Sequence, residues 1–293
     1  MVLHGEKRGG AVNWKHVKHF LLLLLLGVNI LLGYFVYTNF NGAFFTDTQT
    51  AARTASILQK DGIRVSEELL AARNDTADTL STPYSREEYL LSVAALLLGK
   101  EADGIYLLPS GIRAETSEGD SVFLGNDLSI AFTADGVTAD LSAAVSMTEE
   151  EKKTALPAFA TALLLAEKDI EGATLQKCGD LKLLTLAQTE HSLPLAGCVC
   201  TFGMAGDRIV YAEGRHFFGI PTEKSEAPLL NRVNILLKER DRGVQGEVTD
   251  ISLCYALYEE ADAAKLHFLP AYRIEYSDKN VSLVGAIDGI PIE

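Results

Sequence analysis

The rhythm of hydrophobic and polar positions changes several times along this chain, and each change marks an element. Residues 20–37 read FLLLLLLGVNILLGYFVY, and no fixed charge stands between Lys18 and Asp47. At a rise of about 1.5 Å per residue this uncharged run is long enough to cross a hydrocarbon core of roughly 30 Å, so the pattern predicts a transmembrane helix over 20–40. DTQTAARTASILQKDG then predicts a helix with Asp47 as N-cap and Gly62 as its stop. GIRVSEELL reads as a short strand or extended segment, and NDTADTLSTP as a polar loop. Ser85 and Glu88 form an S-x-x-E capping box ahead of Tyr89, Leu90, Val93, Ala94, Leu97 and Leu98, which share one helical face closed by Gly99.

From Gly104 to Leu141 short β-branched and aromatic runs alternate with Gly, Asp and Asn, the pattern of an antiparallel meander. A second capping box, Thr148 to Glu151, starts a helix in which Pro157 either kinks the backbone or begins a second helical piece, with Gly172 as its end. Strands are expected at KLLTLAQTE, LAGCVCTFG and RIVYAE, the last pair turning at Ala205, Gly206 and Asp207. Ser225 can cap a helix with the apolar stripe Leu229, Leu230, Val233, Leu236 and Leu237, and Gly243 lies beyond its end. Ile251, Leu253, Tyr255 and Leu257 alternate as one strand and Tyr272, Ile274 and Tyr276 as another, before SDKN turns the chain into VSLVGAI. The expected fold is α+β: a single N-terminal transmembrane helix, then an extracytoplasmic ectodomain of antiparallel meanders packed with helices. Its divisions fall at 1–19 for a basic cytoplasmic stub, 20–40 for the span, 41–145 for a first ectodomain subdomain and 146–293 for a second.

Composition and charge sharpen this picture. The 293 residues are 47% hydrophobic and 23% charged, which excludes a disordered chain, a collagen-like repeat and a disulfide-dense mini-protein. Lys plus Arg number 26 against 40 Asp plus Glu, and the net charge of −14 argues against nucleic acid as a partner, whose phosphates need a basic surface. Lys7, Arg8, Lys15 and Lys18 precede the apolar run and the next cation is Arg53, so the positive-inside rule leaves the N-terminus in the cytoplasm and the rest outside the cell membrane. A cleaved signal peptide is the competing reading of a basic start and an apolar core; YTNFNGAFF offers no small-x-small cleavage site, which favours an anchor. Tyr34, Tyr37 and Phe40 suit the outer interface and Trp14 the inner one.

Both ends of the chain resemble a known family. NWKHVKHFLLLLLLGVNILLGYFVY leading into ILQKDGIRVSEELL is similar to the start of YycI-type regulatory membrane proteins. DISLCYALYEEADAAKLHFLPAYRIEYSDKNVSLVGAIDG is similar to their end: an alternating strand closing near Tyr255, a loop, a Leu-Pro-aromatic-Arg-Ile strand from Leu269 to Ile274, and a final strand closing near Gly289. The resemblance implies a non-enzymatic bacterial membrane regulator that modulates a sensor histidine kinase of the WalK type, beside a YycH-like membrane partner. It implies no catalytic residue and no cofactor. Similar Pro-aromatic-Arg-Ile strands occur in PepSY-like modules, so the alternative is a membrane-anchored extracytoplasmic binding module for a cell-wall or peptide ligand.

Within lipid, helices associate through small residues and polar side chains that find partners. Asn29, Gly33 and Tyr37 recur every fourth residue and share a helix stripe with Leu22 and Leu26, which makes this stripe the candidate contact with a kinase or YycH-like helix. The bland reading is that any anchor tolerates one Asn and two Gly.

Other candidate chemistry is weaker. Gly119, Asp120, Ser121 and Gly125, Asn126, Asp127 resemble the GDS and GND blocks of GDSL-type esterases, but only three residues lie between the blocks and a late Asp-x-x-His is missing; a hairpin turn explains the same letters. No G-x-S-x-G elbow, P-loop or G-x-G-x-x-G is present. Cys178, Cys198, Cys200 and Cys254 permit three disulfide pairings, while buried free thiols are the simpler expectation. His191, His216 and His267 match no zinc spacing, and His4, His16 and His19 flank the anchor. Glu149 to Glu151 and the pair Glu259, Glu260 lack the alternating ligands of a calcium loop and read as solvated faces.

Overall fold

The computed structural model describes residues 18–19, 21–32, 48–71, 76–134, 136–137, 141–170, 172–219, 221, 223–258 and 265–292. After helical residues 21–32 the elements run α1 (Thr48–Lys60), β1 (Ile63–Arg64), α2 (Glu67–Ala71), β2 (Asp78–Ser85), α3 (Arg86–Leu98), β3 (Gly104–Leu108), β4 (Gly111–Glu115), β5 (Ser121–Gly125) and β6 (Ser129–Thr133). There follow β7 (Val145–Ser146), α4 (Glu149–Ala162), β8 (Thr174–Cys178), β9 (Leu181–Glu190), β10 (Leu193–Ala205), β11 (Arg208–Arg215) and β12 (Glu223–Glu226). The last are α5 (Arg232–Asp241), β13 (Gly246–Tyr258), β14 (Lys265–Tyr276) and β15 (Val281–Gly285). The class is α+β, with a sheet dominated by antiparallel pairs.

The strand path is β12-β2-β14-β13-β10-β11-β6-β5-β4-β3, with β9, β8 and β7 branching from β10, β15 lying beside β14, and β1 beside β13. The join between β13 and β10 rests on a parallel register pair, Leu195 with Tyr255, where β10 shifts register between Pro194 and Val199. On each side of that join the alternation of side chains builds a separate core. Val122, Leu124, Ile130 and Phe132 point from β5 and β6 toward α3, and Phe159 of α4 joins the same buried cluster. Ile251 and Leu253 of β13 lie opposite Ile274 and Tyr272 of β14, and their face is covered by Leu58, Ile63 and Leu70 from the start of the chain and by Ile235 and Leu236 of α5. Each core therefore draws on residues from both sides of residue 146.

Both capping boxes form. The Ser85 N–H donates to Glu88 Oε2 at 2.9 Å and the Glu88 N–H donates to Ser85 Oγ at 3.3 Å, while Gly99 ends α3 at φ +69°. Thr148 and Glu151 repeat the arrangement at α4. The meander at β3 to β6, the strands β9 to β11 and the terminal strands β13 to β15 lie where alternation predicts them.

Four expectations need correcting. GIRVSEELL is extended only at β1; the Ser66 hydroxyl accepts from the Leu69 N–H at 3.3 Å, Glu67 and Glu68 suit the positive end of a helix, and the segment turns into α2. NDTADTLSTP is not all loop: its second half is β2, held between β12 and β14 despite Pro83, with Leu80 and Thr82 buried. Pro157 sits inside the single helix α4, which stops at Ala162, well before Gly172. Ser225 belongs to β12, and the helix cap is Asn231, whose Oδ1 accepts from the Asn234 N–H at 2.8 Å; Leu229 and Leu230 precede the helix instead of lying on its stripe.

Candidate functional site

The residues of the proposed membrane stripe divide. Leu22, Leu26 and Asn29 lie on helical residues 21–32 and are exposed, Leu22 by 67% and Leu26 by 56%, as are the leucines around them. Gly33 and Tyr37 lie outside the described residues, as do Trp14, Tyr34, Phe40 and Asp47. Among the described residues no helix is long and apolar enough to cross a membrane; residues 33–47, which the expected span enters, are not among them.

Away from that helix, a groove of about 410 Å³ lies between the start of α3 and the outermost hairpin. Arg86, Glu87 and Leu90 form one wall, and Leu107, Leu108, Gly111 and Ile112 the other. Three local features of the sequence produce it. The Ser85 cap fixes where α3 begins, so Arg86 is its first residue. Gly111 turns the hairpin at φ +154°, where an added Cβ would come within 2.0 Å of the Leu124 carbonyl oxygen, so only glycine fits this approach of strands. The register Leu107 opposite Ile112 and Leu108 opposite Gly111 then sets β3 beyond the cover of α3. Arg86 Nε and Nη2 are buried without a hydrogen-bond partner. An arginine cannot discharge, so these donors are costly as they stand.

The residues singled out for chemistry have structural partners. Asp120, 4% exposed, is paired with Arg208 across the sheet, and Ser121 Oγ accepts from Arg113 Nε at 3.3 Å. Asp127 accepts from the Ser129 N–H at 3.1 Å, Arg215 pairs with it, and its carboxyl is held below the usual range against the opposing effect of burial. Glu149, Glu150 and Glu151 pair with Lys152, Lys153 and Lys177, and the Lys177 hydrogen bond draws Glu151 down to about 2. None of the four cysteines is in a disulfide among the described residues; burial pushes Cys198 up to about 11 and Cys200 and Cys254 to about 12, so these three stay protonated. Among the described residues no three His, Cys, Asp or Glu side chains converge as metal ligands would.

His216 is the buried member of the histidine set, with both ring nitrogens unpartnered and the ring edge-on to Phe202 at 5.5 Å and Phe218 at 4.5 Å. Its segment crosses the core because neighbours satisfy its backbone. The Phe217 N–H donates to Gln188 Oε1 and Gln188 Nε2 donates to the Phe217 carbonyl, while the Tyr89 hydroxyl donates to the His216 carbonyl and accepts from the Phe218 N–H. Burial alone drives the imidazole down to about 3. Glu190 is the opposite case: burial, and then the nearby Asp169 charge, raise it to about 7. Neither the groove nor these two groups was singled out from sequence as a site; the alternation of β3 fits any strand, and nothing in the letters says that its outer edge stays open.

No protein-family model matches the chain, and no curated protein matches it. Among solved structures, the crystal structure of an uncharacterized protein from Eubacterium rectale aligns with a TM-score of 0.41 at 14% sequence identity, over 79% of this chain and 90% of that chain.

Proposed function

We propose that the protein is a non-enzymatic single-pass membrane regulator, anchored by residues 20–40 with its acidic body outside the cell, that modulates a sensor histidine kinase of the WalK type beside a YycH-like partner. The observation that carries the membrane part is the bare run of leucines on helical residues 21–32, whose side chains find no cover among the described residues. Exposed apolar surface of this kind needs lipid or another helix. The kinase as partner comes from the resemblance of the two chain ends. A bound regulator biases such a kinase only through unequal affinity for its active and inactive states, and a difference of about 1–3 kcal/mol is ample.

The test is cysteine crosslinking in intact membranes between the stripe and the kinase's helices. Crosslinks should be lost in the Asn29→Leu, Gly33→Leu double variant, because it removes both the polar side chain and the close-approach position. Crosslinking that persists in that variant would remove the stripe from the mechanism.

A second reading, an anchored binding module for a peptide or cell-wall ligand, has the groove between the start of α3 and the β3–β4 hairpin as its site. Co-purification in mild detergent separates the two: recovery of a histidine kinase supports the first, and recovery of a small ligand with no kinase supports the second.

A further inference from the structure

The two cores meet at a seam that is thin in strand pairing and crowded with carboxylates. Strands β12, β2, β14, β13, β15 and β1 make one half of the sheet, and β3 to β11 the other. Among the described residues the halves join at one parallel register pair, Leu195 with Tyr255, and the partly buried Ala77 and Leu193 touch both cores. Glu190 lies opposite Leu193, two residues before Leu195, at a turn that His191 and Ser192 make with φ of +48° and +67°. Its half-buried side chain shares a face of β9 with Gln188, whose amide holds Phe217 in both directions and also donates to the Glu190 carboxylate. Asp169, on the 3-10 turn Glu167–Asp169 after α4, faces Glu190 from the same half. From the other half come Tyr255, 2% exposed, and Asp78 at the start of β2; the charges of Asp78 and Glu190 both act on the Tyr255 hydroxyl. Lys168 and His191, the neighbours in sequence, are exposed, and among the described residues no salt bridge reaches Glu190, Asp169 or Asp78.

We infer that Glu190 is a proton-operated latch on this seam: protonated, it lets the two halves close over Tyr255, and ionised, it parts them along Leu195 and Tyr255. The physical reason is charge without compensation. Three carboxylates around a buried tyrosine repel one another in a medium of low dielectric, and a proton on Glu190 removes the charge that lies between the other two. Burial and then the Asp169 charge raise the Glu190 carboxyl to about 7, so the proton leaves near neutral pH. An opened seam returns the carboxyl to its ordinary 4.5, so closing takes up a proton and is weakened as pH rises through 7. The strain is released at the seam because one register pair holds it, whereas β13 and β14 are paired from Val248 to Tyr258. The Gln188 amide, bonded to both Glu190 and Phe217, links the latch to the segment that crosses the first core. This latch requires neither the membrane span nor a kinase, so it stands or falls separately from the proposed function.

The experiment is hydrogen exchange of the full-length chain in detergent micelles at pH 6 and pH 8, each rate divided by the intrinsic rate of its amide at that pH. With Glu190 at about 7 when closed and 4.5 when open, linkage makes the seam open about tenfold more at pH 8 than at pH 6. That loss of protection should appear in residues 186–196 and 252–257, and not in β4 or β5, which lie away from the seam. Glu190→Gln, uncharged at both values, should keep its pH 6 protection at pH 8. Asp169→Asn, at an exposed position, should fold normally and show a smaller loss than wild type, because it removes the like charge beside Glu190. Unchanged wild-type protection between pH 6 and pH 8, or a loss of the same size in β4 and β5, overturns the inference. So does a loss that persists in Glu190→Gln, or one in Asp169→Asn as large as that of wild type.

Discussion

At the scale of single residues, His216 and Glu190 set opposing dependences on pH. The His216 imidazole is held near 3 by burial, below its ordinary 6.5, so its contribution to stability is complete above pH 6.5 and is lost as pH falls toward 3. The Glu190 carboxyl is raised to about 7 from 4.5, so its contribution is complete below pH 4.5 and is lost as pH rises through 7. Melting temperatures of wild type between pH 4 and 8 should reflect both. His216→Leu should flatten the acid side of that profile and, by replacing an orphaned polar ring with an apolar one, raise the neutral melting temperature by a few degrees. Glu190→Gln should remove the decline toward pH 7; an unchanged slope there would mean the carboxyl is solvated. Neither effect was legible from sequence. His216 stands in the short run RHFFG after β11, with no periodicity to mark it as internal, and its burial depends on Tyr89 and Gln188, which are far away in the chain. The buried cysteines could be foreseen, because Cys198 and Cys200 alternate with the exposed Val199 on an otherwise apolar strand.

At the scale of elements, what could be read was what is decided within a few residues. Ser85 with Glu88 and Thr148 with Glu151 carry both halves of their hydrogen-bond exchange inside one turn, so their letters suffice to place α3 and α4. Thr148→Ala should cost about 1 kcal/mol in denaturant unfolding with an unchanged slope, because it removes one cap and no core contact. β2 and the start of α5 were missed for the opposite reason. Pro83 and the polar letters around it look like loop, and only β14 and β12 on either side turn Asp78–Ser85 into a strand. Ser225 has a capping side chain, but its backbone is engaged with Thr79 of β2, and Asn231 takes the cap instead. In both cases the deciding partner lies more than a hundred residues away, beyond any local pattern.

At the scale of the whole molecule, the α+β class and the antiparallel meanders were legible from the alternation, whereas the grouping of the cores was not. The beginning of the chain closes over its end: Leu58, Ile63 and Leu70, each fully buried, cover a face built by Ile251, Ile274 and Val284. Leu58→Ala should therefore cost about 2–5 kcal/mol. Hydrogen exchange should then rise in β13, β14 and α5 before it rises in β4 to β6, whose cover is α3. Equal acceleration in both regions would mean that the cores melt as one. The pairing of β1 with β13 has a mechanical corollary. Ile63 and Arg64 run parallel to Gly246 and Glu247, and the Gly246 N–H donates to the Gly62 carbonyl at 3.0 Å, so the chain that leaves α1 is tied to the first residues of β13. The same strand gives Ile251 to one core and Tyr255 to the other. A load applied to α1 would therefore fall on a strand whose residues are built into both cores.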